Sequence, residues 1–120
     1  MFVAIDIDGT FTRFPLILEP LIASLKRQRH GAVFLTGSTD THVSAEAHQA
    51  GRRKQVSSLS ALCDDVPIHV CVATSHEQVS LMKAAYCRDN GVDILIDDCE
   101  RYCNDVRRIS PRTMVLKVHP

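Results

Sequence analysis

At 120 residues and 13.3 kDa, with 45% hydrophobic and 23% charged residues, the chain has the size of one compact domain rather than two. Fourteen basic residues balance fourteen acidic ones, so the strongly basic footprint of a nucleic-acid binder is absent and nucleic acid is not indicated as a partner. The apolar runs fall short of the roughly 18 residues a membrane span needs, and acidic residues arrive by position 6, which argues against a secretory signal; a cytoplasmic protein without membrane association is expected.

The first predicted strand covers 2–7 (FVAIDI) and runs into Asp8-Gly9-Thr10. A helix is expected over 20–28, where Leu21, Ile22 and Leu25 keep helical register, Pro20 suits the first turn and Gly31 closes the unit. The second strand, 32–35 (AVFL), leads into Thr36-Gly37-Ser38-Thr39. Residues 39–64 are less clearly patterned and read as one or two helices interrupted near Gly51. A third strand at 68–73 (IHVCVA) precedes the best-marked helix, 75–90. There Ser75 and Gln78 form a capping-box pattern, Val79, Met82, Ala85 and Tyr86 make a stripe, and Asn90-Gly91 supplies a left-handed stop. Strand four, 93–96 (DILI), ends in Asp97-Asp98, a short helix follows over 100–108, and 114–118 (MVLKV) is the fifth strand. Short, nearly continuous apolar strands are those buried on both faces of a parallel sheet. Their alternation with helices predicts one α/β domain across residues 1–120, a three-layer Rossmann-like unit with a mostly parallel five-stranded sheet and helices on both faces.

Five cysteines, Cys63, Cys71, Cys87, Cys99 and Cys103, are odd in number and contain no Cys-x-x-Cys pair, so neither a zinc ribbon nor a thioredoxin-type motif is available. They read as buried or half-buried thiols. His69, inside a strand pattern, reads as packed.

Parallel sheets bind ligands beyond the carboxyl ends of their strands, and the chemistry of this chain is concentrated there. Asp6 and Asp8, one residue apart, are expected to project to the same side, with Asp97 and Asp98 arriving from another strand. Carboxylates so placed raise one another's pKa, and a hard, oxygen-preferring divalent cation, Mg²⁺, relieves the conflict. Gly9 permits a tight turn that Thr10 caps, while Thr36 and Gly37 offer a hydroxyl and a close-approaching backbone to phosphate oxygens. Lys83 would bring positive charge. Each of these residues alone has an ordinary structural role as turn former, helix cap or solvated lysine; their joint order along the sheet carries the functional reading. Neither GxxxxGK[ST] nor GxGxxG occurs.

Taken in order, VAIDIDGT, FLTGS, Lys83 and ILIDD resemble the four motifs of the haloacid dehalogenase (HAD) superfamily over nearly the whole chain. The resemblance implies a Mg²⁺-dependent phosphatase working through an aspartyl-phosphate. Asp6 would match the nucleophile, and Asp8 the general acid and base, with its backbone carbonyl toward the metal. Thr36 and Lys83 would match the groups that hold the transferring phosphoryl, with Gly9, Thr10 and Gly37 around it. Asp98 would match the metal ligand of the Asp-Asp pair, and Asp97 a neighbouring or alternative ligand. For its acid role Asp8 needs a raised pKa, which a crowded anionic site provides. A response-regulator receiver domain shares the length, an Asp cluster, a Thr and a Lys, but its phosphorylated Asp follows strand three, which here ends in Ala73-Thr74-Ser75.

Many members of the superfamily insert a cap domain after the first motif or after the second. The intervals here are shorter than the ~50 residues a domain needs, so no cap domain is expected. The open site would take a large phosphorylated substrate or be covered by a second copy in a homo-oligomer. Arg13 and the Arg52-Arg53-Lys54 cluster are candidates for substrate contact. The alternative to the phosphatase is a catalytically silent binding or regulatory protein of the same fold.

Overall fold

The chain begins in the middle of its own sheet. In the computed structural model, which describes residues 1–119, strand β1 (Phe2–Ile5) is central, flanked by β2 (Gly31–Ser38) and β4 (Ile94–Asp97), with β3 (Ile68–Val72) and β5 (Met114–Lys117) at the edges. The order is β3-β2-β1-β4-β5 and every pairing is parallel. The connecting helices are α1 (Pro15–Arg27), α2 (Ala45–Leu59), α3 (His76–Asp89) and α4 (Glu100–Ile109), with a short 3₁₀ turn at Ala61–Cys63. A three-layer, Rossmann-like α/β domain is thus what the sequence folds into, and none of its helices is long and apolar enough to cross a membrane.

Side-chain alternation divides the core in two. Val3, Ile5, Phe34 and Ile96 face α1 and α2, meeting Leu18, Ile22, Leu25 and Val56. Ala4, Val33, Leu35 and Leu95 face the other layer, against Val79, Ala84 and Cys87 of α3 and Val106 of α4. Period-two alternation continued one step beyond Ala4 and Leu95 sends Asp6 and Asp97 toward α3. The site owes its shape to that parity.

Several boundaries differ from the sequence reading for identifiable reasons. β1 stops at Ile5; the Asp6 amide still donates to the Ile96 carbonyl at 2.9 Å, and the chain then leaves the sheet through an irregular wide turn at Ile7–Phe11, extended at Asp8 and left-handed at Gly9. β2 runs past Leu35, so Thr36, Gly37 and Ser38 lie within the strand and pair with β3, whereas β1 pairs only as far as Phe34. α1 starts at Pro15, and Pro20 sits inside it on the exposed side. α2 continues through Gly51, which meets nothing within 4 Å. Its start is capped by Ser44, whose hydroxyl accepts from the Ala47 amide at 3.1 Å. α2 buries only Val56 and is held mainly by polar ties: Gln49 donates to the Ile68 carbonyl at 2.6 Å, and Arg53 to the carbonyls of Cys63 and Val66. The stripe expected on α3 is also displaced. Met82 is exposed, and the buried face is Val79, Ser80, Lys83, Ala84 and Cys87, with the lysine in its centre. Burial on both faces holds for the central strands but not at the edges, where His69, Met114 and Leu116 are exposed.

Candidate active site at the strand ends

Lys83 is fully buried, an arrangement sustained only by partners. Its Nζ donates to Asp6 Oδ1 at 2.8 Å and to Asp97 Oδ2 at 3.0 Å, joining α3 to the ends of β1 and β4. The ring of Tyr102, from α4, lies beneath the ammonium, 4.3 Å from Nζ to its centroid. Asp97 is itself fixed by the Cys99 amide, which donates to Oδ1 at 3.0 Å. Cys99 caps α4, so the second carboxylate is oriented by the helix that follows it.

The electrostatics of this centre follow from a count of charges: one buried cation faces two buried carboxylates, with Asp98 beside them. Burial pushes the Asp6 pKa up to about 7; Lys83 pulls against that shift, and Asp97 and Asp98 add to it. Asp97 is raised as well, again by burial first, against the pull of Lys83 and the Cys99 amide. For Lys83, burial favours the neutral amine, but Asp6 and Asp97 outweigh it and hold the pKa above the ordinary lysine value. The centre therefore carries more acid than its lysine neutralises.

Carboxylate oxygens of Asp6, Asp97 and Asp98 approach within 4.8 Å of one another, and among the described residues this is the group able to hold a metal ion. The Thr10 hydroxyl stands between two of them, 3.1 Å from Asp98 Oδ1 and 3.4 Å from Asp6 Oδ2. An all-oxygen donor set with surplus negative charge matches a hard divalent cation. Gly9 makes the approach possible: its φ is +78°, and a Cβ there would lie 2.3 Å from Asp98 Oδ2. Gly37 answers a similar need, since a Cβ would overlap Val79 Cγ1 at 2.4 Å, with Tyr102 Oη at 3.6 Å. Thr36, beside it, is buried.

Asp8 is the departure from expectation. The wide turn breaks the alternation that would have set it beside Asp6, and its carboxylate points instead to α2. Arg52 Nη1 donates to Asp8 Oδ2 at 2.6 Å and Gln55 Nε2 to Oδ1 at 2.8 Å. Partial burial would raise the Asp8 pKa, but these bonds and the Arg52 charge hold it below the ordinary carboxylate value. The raised pKa expected for this residue is thus corrected: three carboxylates converge, and the fourth faces a cation of its own.

The basic cluster separates by role. Arg52 joins the site, Arg53 ties α2 to the segment after it, and Lys54 is exposed, as is Arg13. The cysteines stay outside the metal-capable group; burial pushes Cys71 up to about 11 and Cys87 to about 12, which keeps them protonated, inert thiols. Tyr102 and Gln55 are the site residues that sequence reasoning missed. Tyr102, placed one helical turn into α4 after Asp97-Asp98, was recoverable from its position on the helix facing α3, whereas nothing local marked Gln55. No family model, curated protein or solved structure matches this chain.

Proposed function

We propose that this chain is a Mg²⁺-dependent phosphohydrolase of the HAD type, acting through an aspartyl-phosphate on Asp6. The observation that carries the reading is the buried Asp6–Lys83–Asp97 centre, with Asp98 and Thr10 beside it at the carboxyl ends of β1 and β4. One oxygen of Asp6 is taken by Lys83, while Oδ2 has only the Thr10 hydroxyl at 3.4 Å and keeps lone pairs for attack. In-line attack by Oδ2 forms the acyl-phosphate bond and breaks the bond between phosphorus and the leaving oxygen. Asp8, ionised on Arg52 and Gln55 as it stands, would have to leave those donors, take up a proton from solvent and turn inward before giving that proton to the leaving oxygen. It would then take a proton from the water that attacks phosphorus, releasing inorganic phosphate and restoring Asp6. Thr36 and the Gly37 backbone hold phosphoryl oxygens at the stretch of β2 that outruns β1, and Lys83 keeps positive charge on the nucleophile's side. Asp6, Asp98 and Asp97 would hold the Mg²⁺, which would supply the charge that keeps Asp6 ionised and offsets its repulsion from a phosphate dianion.

The contacts of Asp8 favour a second reading, a catalytically silent binding protein, because a carboxylate locked on Arg52 donates no proton. Assay of a phosphomonoester panel with and without Mg²⁺ separates the two. Mg²⁺-dependent release of phosphate, lost in Asp6→Asn, supports the enzyme; absence of turnover across the panel supports the silent protein.

A further inference from the structure

The two halves of the Asp8 contact are unequal. Arg52 is anchored before it meets Asp8: its Nη2 donates to the Gly37 carbonyl at 2.8 Å and its Nη1 to Gln55 Oε1 at 3.1 Å, leaving the side chain only 17% exposed. Asp8, on the wide turn, is 58% exposed. Donors fixed on a helix thus present one N–H to each oxygen of a solvent-facing carboxylate, the geometry of an oxyanion receptor occupied by a side chain from a turn. Beyond them opens a concavity of about 340 Å³ lined by Ser38, Asp40, His48, Arg52 and Gln55. The Asp40 carboxylate accepts from the His42 amide at 3.1 Å, and His48 Nε2 lies 2.9 Å from the Asp40 carbonyl, so these groups are engaged within the loop.

We propose that Arg52 and Gln55 are a receptor for a second oxyanion, carried by the leaving group of the substrate, and that Asp8 fills this place until substrate arrives. This deepens the phosphatase reading and rests on it for the identity of the first oxyanion. Arg52 touches the Gly37 carbonyl of β2 and also lines the concavity, so it borders both the strand ends, where the phosphoryl would sit, and the place for a second group. A carboxylate or second phosphate there displaces Asp8 from its two donors, and the released side chain is free to turn toward Asp6. The substrate class is therefore a phosphomonoester bearing another anionic group a few bonds away, and the same exchange that recognises it readies the general acid.

Calorimetric titration with non-hydrolysable ligands, in buffer containing Mg²⁺, reads this without turnover. The probes are propylphosphonate, 2-carboxyethylphosphonate and propane-1,3-diphosphonate, which share a chain and differ in the second group. The native protein is expected to bind one or both of the probes that carry a second anionic group at least about tenfold more tightly than propylphosphonate, the stronger of the two naming the preferred oxyanion. Arg52→Gln is expected to bring the ratio to about one, and Arg52→Lys, which keeps charge but not the fork, to restore part of it. Equal binding of all three by the native protein, no measurable binding of any, or a ratio unchanged in Arg52→Gln overturns the receptor. A protein that hydrolyses no ester yet discriminates through Arg52 keeps the receptor and removes the phosphatase reading.

Discussion

The chain contains two carboxylate–cation groups within a few residues of each other, and they obey opposite rules. Asp6, Lys83 and Asp97 are buried between sheet and α3, two acids to one base. Asp8, Arg52 and Gln55 lie at the rim, one acid to one base, with the acid largely in solvent. Burial raises the Asp6 pKa, whereas the rim contacts lower that of Asp8. In water the attraction of an ion pair is screened and its loss is tolerated. In the interior, desolvation costs so much that a buried charge persists only with an opposite partner, and removing the one cation leaves both carboxylates exposed to that cost. The inner group is therefore the place for chemistry that needs a perturbed acid, and the outer one for exchange with a ligand.

The largest effect follows from the inner group's surplus charge. Asp6→Asn removes the attacking oxygen, and turnover is expected to fall by at least ~10³-fold in a phosphate-release assay. The same change leaves Lys83 with one carboxylate, a balanced pair, so the thermal midpoint in EDTA at pH 8 should equal or exceed that of the native protein. A marked loss of stability would mean that the buried set tolerates its second charge.

Lys83→Met attacks the set from the other side. Two buried carboxylates lose their cation, and destabilisation of ~3–5 kcal/mol is expected in denaturant unfolding at pH 7. Shrinkage of that loss at pH 5, where the carboxylates take up protons, would tie it to charge rather than to packing.

The same surplus makes stability depend on pH. Burial holds the Asp6 pKa up at about 7, against the ordinary aspartate value of 3.8. Between those values the folded state binds more protons than the unfolded one, so this group's contribution to stability is fully present below the lower value and is lost as pH rises through the upper. The unfolding free energy of the native protein in EDTA, compared with Asp6→Asn, should fall by up to about 1.4 kcal/mol per pH unit across that window. Mg²⁺ should restore stability at pH 8 and add little at pH 5. Parallel curves for the two proteins would show that Asp6 is ionised without help.

Much of this inner centre was legible in the sequence because it depends on strand ends, which apolar runs mark well. The rim was not. Alternation placed Asp8 beside Asp6, but it carries only one step past the strand, to Asp6, and the wide turn at Ile7–Phe11 follows. α2 was blurred for a related reason. Its attachment is made by Gln49, Arg52 and Arg53 reaching backbone carbonyls, which leave no hydrophobic period to read. Lys83 was legible as a candidate but not as a core residue, since no local pattern says that a lysine will find two carboxylates.

Gly9 joins the two groups, being next to Asp8 and against Asp98. Gly9→Ala is expected to cost ~1–2 kcal/mol from the positive φ. The new methyl also overlaps Asp98, whose carboxylate can swing aside, so Mg²⁺ affinity by calorimetry should weaken more than stability does. Unchanged Mg²⁺ affinity would remove Asp98 from the cation's ligands.

The smallest expected effect tests the rim. Gln55→Ala removes the bond to Asp8 Oδ1 and one anchor of Arg52, which keeps its bond to the Gly37 carbonyl, and an exposed acceptor turns to water. Stability at pH 7 should change by no more than ~1 kcal/mol. The lowered pKa of Asp8 contributes stability above the ordinary carboxylate value, lost as pH falls through the folded one, so the small difference between the proteins should vanish in acid. Carbon NMR of the Asp8 carboxyl is the sharper measurement: its titration midpoint should move upward, toward the ordinary value, in Gln55→Ala. A large stability loss with no movement of the midpoint would place Gln55 in the core's support rather than at an exchangeable contact. A moved midpoint with stability intact is the signature of a group whose bonds set its protonation while contributing little to the fold, the property that lets an incoming oxyanion take its place.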